Sequence, residues 1–360
     1  MKLELLIDSE QFWPRFQSDI RAARKRIYVQ TLSFEGDAVG LALAEEFNNS
    51  KTPDKRIIVD CYTKYIISDK FRYSPRNWFD SDLKSERKET FRMINSLPAD
   101  GTGIKWVNPF GFLLVRTPSR NHKKILIVDD NISYIGGINF SDHNFAWHDM
   151  MVRIESIEIA EFLAQDFMES WEDRHFSGTR EFDKLTLISC DGKNNAACFQ
   201  PIMEMIDNAQ TSIYIQSPYL SFPFTDRLRN ASRRGVKIEI VTPENNNKNT
   251  LEDFIKWESD RSGFDLHLYP GRMTHLKAML IDGKGLILGS SNFDCFSYRF
   301  EQENMAIITD KDFIAEFTRK VIEPDRAKSE PFNGSTNHPK GCFLDLEMRA
   351  ISKIAEWFNG

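Results

Sequence analysis

Two segments of the sequence carry the same reactive side chains at the same spacing. Asn121-His122-Lys123-Lys124-Ile125-Leu126-Ile127-Val128-Asp129 and Thr274-His275-Leu276-Lys277-Ala278-Met279-Leu280-Ile281-Asp282 both read His-x-Lys-x-x-x-x-Asp. Each runs on into a small-residue segment, Gly136-Gly137-Ile138-Asn139 or Gly289-Ser290-Ser291-Asn292. A neutral imidazole beside a fixed ammonium suits phosphoryl chemistry: the ring nitrogen attacks phosphorus while lysine neutralises the oxygens on which charge collects. With two copies, one histidine takes the phosphoryl group while the other protonates the leaving alcohol and then deprotonates the incoming nucleophile. Lys124 and Lys277 supply the positive charge, so this chemistry needs no metal and no cofactor. Imidazoles in these roles take an acidic partner on the far nitrogen, which fixes the tautomer. Asp149 lies 27 residues beyond His122, and Glu303 lies 28 beyond His275.

The elements that must position these groups follow from the pattern. Residues two apart on a strand share a face, so His122 and Lys124 point one way, as do His275 and Lys277. Asp129 and Asp282, seven residues on from the histidines, fall off that face and open a turn into a second apolar strand. Each motif therefore reads as a hairpin, 125–135 and 278–288. Gly136, Gly137 and Gly289 let the backbone approach a ligand closely, and Asn139, Asn292 and Ser290 offer it hydrogen bonds. His143 and His148, beside Asp142 and Asp149, lack a convincing third metal ligand.

A larger repeat surrounds the motifs. Phe16, Ile20 and Ala23 lead into Ile27-Tyr28-Val29-Gln30-Thr31; Ile202, Ile206 and Ala209 lead into Ile213-Tyr214-Ile215-Gln216-Ser217, 186 positions later. Apolar spacings of four and three mark a helix face, and the runs that follow are buried strands. The motifs themselves are offset by only 153 positions, so the first half holds 33 more residues, expected within 64–103. Strands interleaved with helices in both halves predict α/β layers, divided in the polar stretch 174–184. This gives a first half over 1–178, with the insertion, and a second over 179–360, whose tail 311–360 is unassigned.

Composition narrows the partners. The 360 residues carry a net charge of −6, which argues against a polycation that binds nucleic acid through bulk charge. The early acids of the N-terminus do not read as a secretory leader, and no apolar run reaches the length of a membrane span. Five widely spaced cysteines without a Cys-x-x-Cys pair suggest neither a disulfide framework nor a zinc site. A cytoplasmic protein is expected.

The doubled motif with its glycine-asparagine continuation resembles the phospholipase D superfamily over roughly residues 3–310. Arg120-Asn121-His122, Trp147-His148-Asp149, Ser217-Pro218-Tyr219, Arg234-Gly235-Val236 and Tyr269-Pro270-Gly271 are similar to runs of bacterial cardiolipin synthases. The resemblance implies a phospholipase D fold of two pseudo-twofold-related α/β halves, each with a mixed sheet flanked by helices, sharing one active site. It implies ping-pong transfer through a phosphohistidine on His122, with His275 as acid and base and Asp149 and Glu303 as acidic partners. Asp129 and Asp282 would be structural members of the turns. Phosphatidylglycerol or a similar phospholipid would be the substrate, and the membrane segments many such enzymes carry at the N-terminus are not seen. Peripheral attachment at the inner face of the membrane is then expected, through the aromatics of 64–103. A monomer suffices for the site, because both motifs lie in one chain. The arginine that commonly follows Asn292-Phe293-Asp294 is missing here, where Cys295, Phe296 and Ser297 stand. Hydrolysis instead of transfer, and metal-independent cleavage of DNA or RNA, are the alternatives within the same chemistry.

Overall fold

β-Branched runs alternating with amphipathic helices build two α/β units. The computed structural model describes residues 1–112, 116–193, 195–334 and 339–359. One unit comprises Met1–Phe176 with Gln302–Asn304, the other Ser177–Glu301 with Met305–Gly360.

In the first unit, β1 (Lys2–Ile7), α1 (Asp8–Ala22), β2 (Arg26–Thr31), α2 (Ala38–Asn49) and β3 (Asp54–Asp60) follow in order. A short ribbon, β4 (Ile66–Ile67) with β5 (Lys70–Phe71), and α3 (Ser81–Ser96) precede β6 (Thr102–Val107). β7 (Ile125–Val128), β8 (Ile132–Gly136), α4 (Asp142–Ala146), β9 (Met150–Glu155) and α5 (Ile157–Trp171) complete it. The seven strands stand in the order β1-β9-β8-β7-β2-β3-β6. β2, β3 and β6 are parallel, and the pairings from β2 through β7, β8 and β9 to β1 are antiparallel. The four-residue spacing on α1 brings Phe12, Phe16 and Ile20 into the core with Val29, Tyr134 and Phe140. Burial of each such side chain contributes about 1.5–3 kcal/mol. Asp37 caps α2, and Asp80 caps α3, through backbone amides of the first turn.

The second unit opens with β10 (Gly178–Phe182), β11 (Leu185–Asp191), α6 (Asn195–Asn208), β12 (Ser212–Gln216), α7 (Phe224–Arg233) and β13 (Lys237–Pro243). It continues through α8 (Asn249–Ser262), β14 (Asp265–Tyr269), β15 (Ala278–Ile281), β16 (Gly285–Gly289), α9 (Cys295–Arg299) and β17 (Gln302–Ile308). The sequence tail, given no structure above, forms α10 (Lys311–Phe317), α11 (Glu323–Lys328), β18 (Glu330–Pro331) and α12 (Pro339–Asn359). The sheet order is β10-β11-β17-β16-β15-β12-β13-β14-β18. Again β12, β13 and β14 are parallel, and β15 and β16 are antiparallel neighbours. A separate core gathers Phe199, Ile202, Ile206, Ile213, Phe224 and Phe293.

The extra length of the first half is not a single insertion. Its largest share lies between β3 and β6, where residues 61–101 stand against 244–264 between β13 and β14. A further share lies between β6 and β7, residues 108–124 against 270–277. Among the described residues, no helix is long and apolar enough to cross a membrane.

Candidate active site

Both motifs form hairpins: Val128 pairs with Ile132 across one turn and Ile281 with Gly285 across the other. The reactive pairs, however, precede the regular strands. The β2–β7 ladder ends at Gln30 and Ile125, so His122 and Lys124 stand on an extended lead-in outside the sheet. That lead-in finds other backbone partners, because buried amides and carbonyls must be satisfied. His122 N–H donates to the Gln302 carbonyl at 2.9 Å, and Gln302 N–H donates to the Arg120 carbonyl at 2.8 Å. Alternation along the lead-in still holds. Lys123, between the two, sends its ammonium to buried Asp166 at 2.6 Å, and Asp166 also accepts from Asn304 at 3.0 Å.

The Nδ1 of His122 lies 3.0 and 3.2 Å from the two carboxylate oxygens of Glu303, and both residues are buried. This corrects the pairing expected from equal sequence intervals, which gave His122 the partner Asp149. Glu303 is 181 residues away in sequence and is brought to His122 by the backbone hydrogen bonds of Gln302 with Arg120 and His122. A carboxylate on Nδ1 fixes the ring as the Nδ1–H tautomer and turns the Nε2 lone pair outward, the arrangement of a nucleophilic imidazole. The buried Lys124 ammonium donates to the His122 carbonyl at 2.8 Å, which holds its charge on the same stretch of chain.

Asp149 has a different setting. Its Oδ1 accepts from Met150 N–H at 2.8 Å, and its own N–H donates to Asp8 at 3.1 Å. A Cβ on Gly137 would lie 2.3 Å from the Asp149 carboxylate, and one on Gly136 would lie 2.3 Å from the Met150 carbonyl. The two glycines thus admit the neighbouring strand and its carboxylate, rather than a ligand as the motif reading supposed. Gly289 closes β16 with a φ of +152°, a conformation favouring glycine. His148 is held by Asp8 at 2.7 Å, and His143 by Ser141 and Asn144 at 3.1 and 2.7 Å.

The second motif repeats the lysine device. Buried Lys277 donates to the carbonyl of His275, itself buried. The Tyr219 ring stands edge-on to His275 with centroids 6.4 Å apart, and the Lys248 ammonium lies 4.3 Å from the Tyr219 centroid. Ser290 and Asn292 are buried, and the amide oxygen of Asn292 has no hydrogen-bond partner among the described residues. Asn139 is more occupied: its amide oxygen accepts from Thr31 and Leu32 at 3.1 and 3.3 Å, and its NH2 reaches Asn144 at 3.2 Å.

The motif aspartates act on backbone. Asp129 accepts from the amides of Arg24, Lys25 and Arg26 at 2.9, 2.7 and 3.3 Å. Asp282 accepts from Gln210, Thr211 and Ser212 at 2.9, 2.8 and 3.0 Å, and from the Thr211 hydroxyl at 2.8 Å. Both adopt positive φ, 53° and 52°, where a short polar side chain is tolerated. Burial pushes the Asp282 carboxyl upward, but those amides and that hydroxyl outweigh it and hold the group at about 2. Each aspartate pins the motif hairpin to the loop entering the adjacent parallel strand.

Several supporting residues were visible in the repeat but had no assigned role. Gln30 donates to Asn121 at 2.9 Å, and its counterpart Gln216 donates to Thr274 at 2.8 Å, so each strand glutamine steadies the residue before a motif histidine. Gln216 also reaches Asp325 of the tail at 2.8 Å. Asp60 accepts from Arg120 at 2.8 Å and from Asn121 N–H at 2.6 Å. Burial raises its carboxyl to about 6 against the pull of Arg120 and the amides. Such links join residues far apart in sequence, and the only earlier signal was the matching position of the glutamines.

Among the described residues, Glu35, Asp37 and Glu86 of the first unit bring carboxylate oxygens within 4.8 Å of one another, a spacing that a metal ion could also use. Burial pushes Glu35 up to about 9 and Asp37 to about 6. At neutral pH a proton on Glu35 therefore relieves the repulsion.

The family model described as cardiolipin synthase, phospholipase D-like domain, matches residues 16–171 and 202–323. The chain is 24% identical over 389 residues to the probable cardiolipin synthase YwiE of Bacillus subtilis, spanning 99% of this chain and 72% of the relative. It is 26% identical over 363 residues to cardiolipin synthase 1 of Staphylococcus epidermidis, spanning 91% and 68%. The crystal structure of phosphatidylserine synthase from Haemophilus influenzae shares the fold, with a TM-score of 0.70 at 17% identity, over 99% of this chain and 94% of that one. With both motifs intact on this fold, the chain belongs to the cardiolipin synthase, phospholipase D-like family and is a phosphatidyltransferase-type enzyme of the phospholipase D superfamily.

Proposed function

We propose that the protein transfers a phosphatidyl group between alcohols in two displacements, with phosphatidylglycerol as donor and a second phosphatidylglycerol or related alcohol as acceptor. The observation that carries the reading is the buried His122–Glu303 pair at 3.0 Å with Lys124 on the same lead-in. In the first displacement, Nε2 of His122 forms a bond to phosphorus. The bond from phosphorus to the leaving alkoxide breaks, and His275 gives that oxygen its proton. In the second, neutral His275 takes the proton of the acceptor hydroxyl, its oxygen attacks phosphorus, and the phosphorus–nitrogen bond breaks. Glu303 balances the positive charge that builds on His122 as it is phosphorylated. Lys124 and Lys277 balance the charge on the non-bridging oxygens, and Asn292 and Ser290 hydrogen-bond the phosphodiester. Asn139 serves mainly to hold the strand ends.

The test is incubation with phosphatidylglycerol in EDTA, with products followed by mass spectrometry. Cardiolipin and glycerol are expected from the wild type and neither from His122→Ala. Absence of both cardiolipin and phosphatidic acid with wild-type protein overturns the reading. Phosphatidic acid alone replaces transfer by hydrolysis. Cleavage of plasmid DNA in EDTA, lost in His122→Ala, would make the enzyme a nuclease.

A further inference from the structure

The stretch between β3 and β6 has no counterpart of its kind in the second unit, where the single helix α8 makes the connection. Its side chains are unusual for a protein surface. Tyr73, Trp78 and Phe79 are 53%, 65% and 89% exposed, and Phe112, just beyond β6, is 85% exposed. Single exposed apolar residues are ordinary, but several large aromatics on neighbouring turns mark a contact surface. The turns that present them are built, not slack. Asn77 donates its side-chain amide to the Phe71 carbonyl at 2.9 Å, and Lys70 pairs with Asp80 at 3.1 Å, across the base of the Trp78–Phe79 turn.

Charge around these rings runs against that of the whole molecule. Between positions 64 and 79 stand Lys64, Lys70, Arg72 and Arg76 against Asp69 alone, in a chain whose net charge is −6. Arg72 lies 4.9 Å from the Tyr73 centroid and Lys84 lies 5.9 Å from that of Phe79. Rings flanked by cations match the boundary of an anionic bilayer, where an aromatic seats at headgroup depth and lysine or arginine meets phosphate.

The surface is also wired to the first motif. Tyr73 touches Tyr65 at 6.1 Å between centroids, Tyr65 touches Phe110 at 4.5 Å, and the Arg120 guanidinium stacks 4.1 Å from Phe110. Arg120 is two residues from His122. We infer that Tyr73, Trp78, Phe79 and Phe112, with Arg72, Arg76 and Lys84, form the face by which this unit docks on an anionic phospholipid surface. The inference rests on the reading that the substrate is a phospholipid, and it adds where the enzyme meets the bilayer that holds it. The contacts through Tyr65, Phe110 and Arg120 join that face to the lead-in carrying His122.

The test compares the full-length wild type with Trp78→Ala/Phe79→Ser and with Arg72→Glu/Arg76→Glu. One readout is co-sedimentation with vesicles of phosphatidylglycerol or of phosphatidylcholine at low and high salt. The other is turnover of long-chain phosphatidylglycerol in vesicles against a short-chain analogue below its micelle concentration. Wild type is expected to bind the anionic vesicles and to release them as salt rises. Each double variant should bind at least about tenfold more weakly and lose vesicle turnover in proportion, while keeping turnover of the monomeric analogue. Vesicle binding by both variants equal to wild type overturns the inference. So does a change in oligomeric state of the aromatic variant by size-exclusion chromatography with vesicle binding unaltered, because the patch would then face a second copy. Failure of the wild type on every phospholipid, monomeric analogue included, counts instead against the proposed reaction, and the sedimentation arm still decides the surface.

Discussion

The two units solve the same mechanical problem with the same parts and differ in what surrounds those parts. Each sets three parallel strands beside a motif hairpin, ties its lysine ammonium to its own histidine carbonyl, and anchors the hairpin through an aspartate that accepts backbone amides. Each also steadies the residue before the histidine with a strand glutamine. They diverge at the connection after the second parallel strand. His122 has a buried carboxylate on Nδ1, and the Tyr219 ring stands beside His275. What is duplicated is the apparatus that places a histidine and a lysine. What differs bears on what each unit faces.

The sharpest way to break this comparison is to remove each histidine. His122→Ala should abolish both turnover and any covalent adduct, a loss of about 10⁴-fold or more. His275→Ala should lose about 10²–10⁴-fold on a natural phospholipid yet still form the adduct with a nitrophenyl ester, whose leaving group needs no proton. Rapid-quench detection of the adduct decides between them, and an adduct in His122→Ala but not in His275→Ala reverses the assignment.

Next in size is the carboxylate on the first histidine. Glu303→Gln keeps a hydrogen bond and loses the charge, so adduct formation should slow by about 10- to 100-fold, the worth of a charged hydrogen bond. KM should stay unchanged and Glu303→Asp should restore part of the rate. If Asp149→Asn, and not Glu303→Gln, slowed this step, the partner assigned by sequence interval would be right after all.

A third expectation concerns packing. Gly137→Ala places a methyl carbon 2.3 Å from the Asp149 carboxylate, so something must shift, at about 1–3 kcal/mol of stability read by urea unfolding. An equal midpoint for variant and wild type would show that the strand end relaxes freely.

The smallest effect sharpens the likeness of the two turns. Asp282 is held at about 2 in the fold, below its ordinary 3.8, so its contribution is complete above about pH 4 and is lost as pH falls through 2. Asp282→Asn should therefore cost about 1 kcal/mol at pH 7, with the gap closing between pH 4 and 2. Asp60 works in the opposite sense. Burial raises it to about 6, so the folded state holds its proton longer than the unfolded chain, and its share of stability declines as pH rises from about 4 to 6. Urea titrations of Asp282→Asn and Asp60→Asn across this range should show opposite slopes.

Much of this was legible in the residues. The repeat of Ile27–Thr31 at 213–217 and the hairpins at both motifs follow from period and spacing alone, because burial of one strand or helix face is a local demand on sequence. The turn role of Asp129 and Asp282 followed from parity. Other features were not legible. The roles of Gly136 and Gly137 look like ligand access in sequence, and only the Asp149 carboxylate beside them shows the neighbour that excludes a Cβ. The single expected insertion is spread over two loops, because offsets between motifs report a total and not its distribution.

By itself, then, the sequence determined the α/β class, the doubled histidine-lysine apparatus and its phosphoryl chemistry, since each rests on residue type and short-range spacing. The tertiary structure alone decided that Glu303, not Asp149, holds His122, that Asp60 and Arg120 brace the lead-in, and that the aromatic turns join it through Tyr65 and Phe110. The physical reason is that periodicity records which side of an element is buried but not which distant segment buries it. A contact across 181 residues is set by the path of the whole chain.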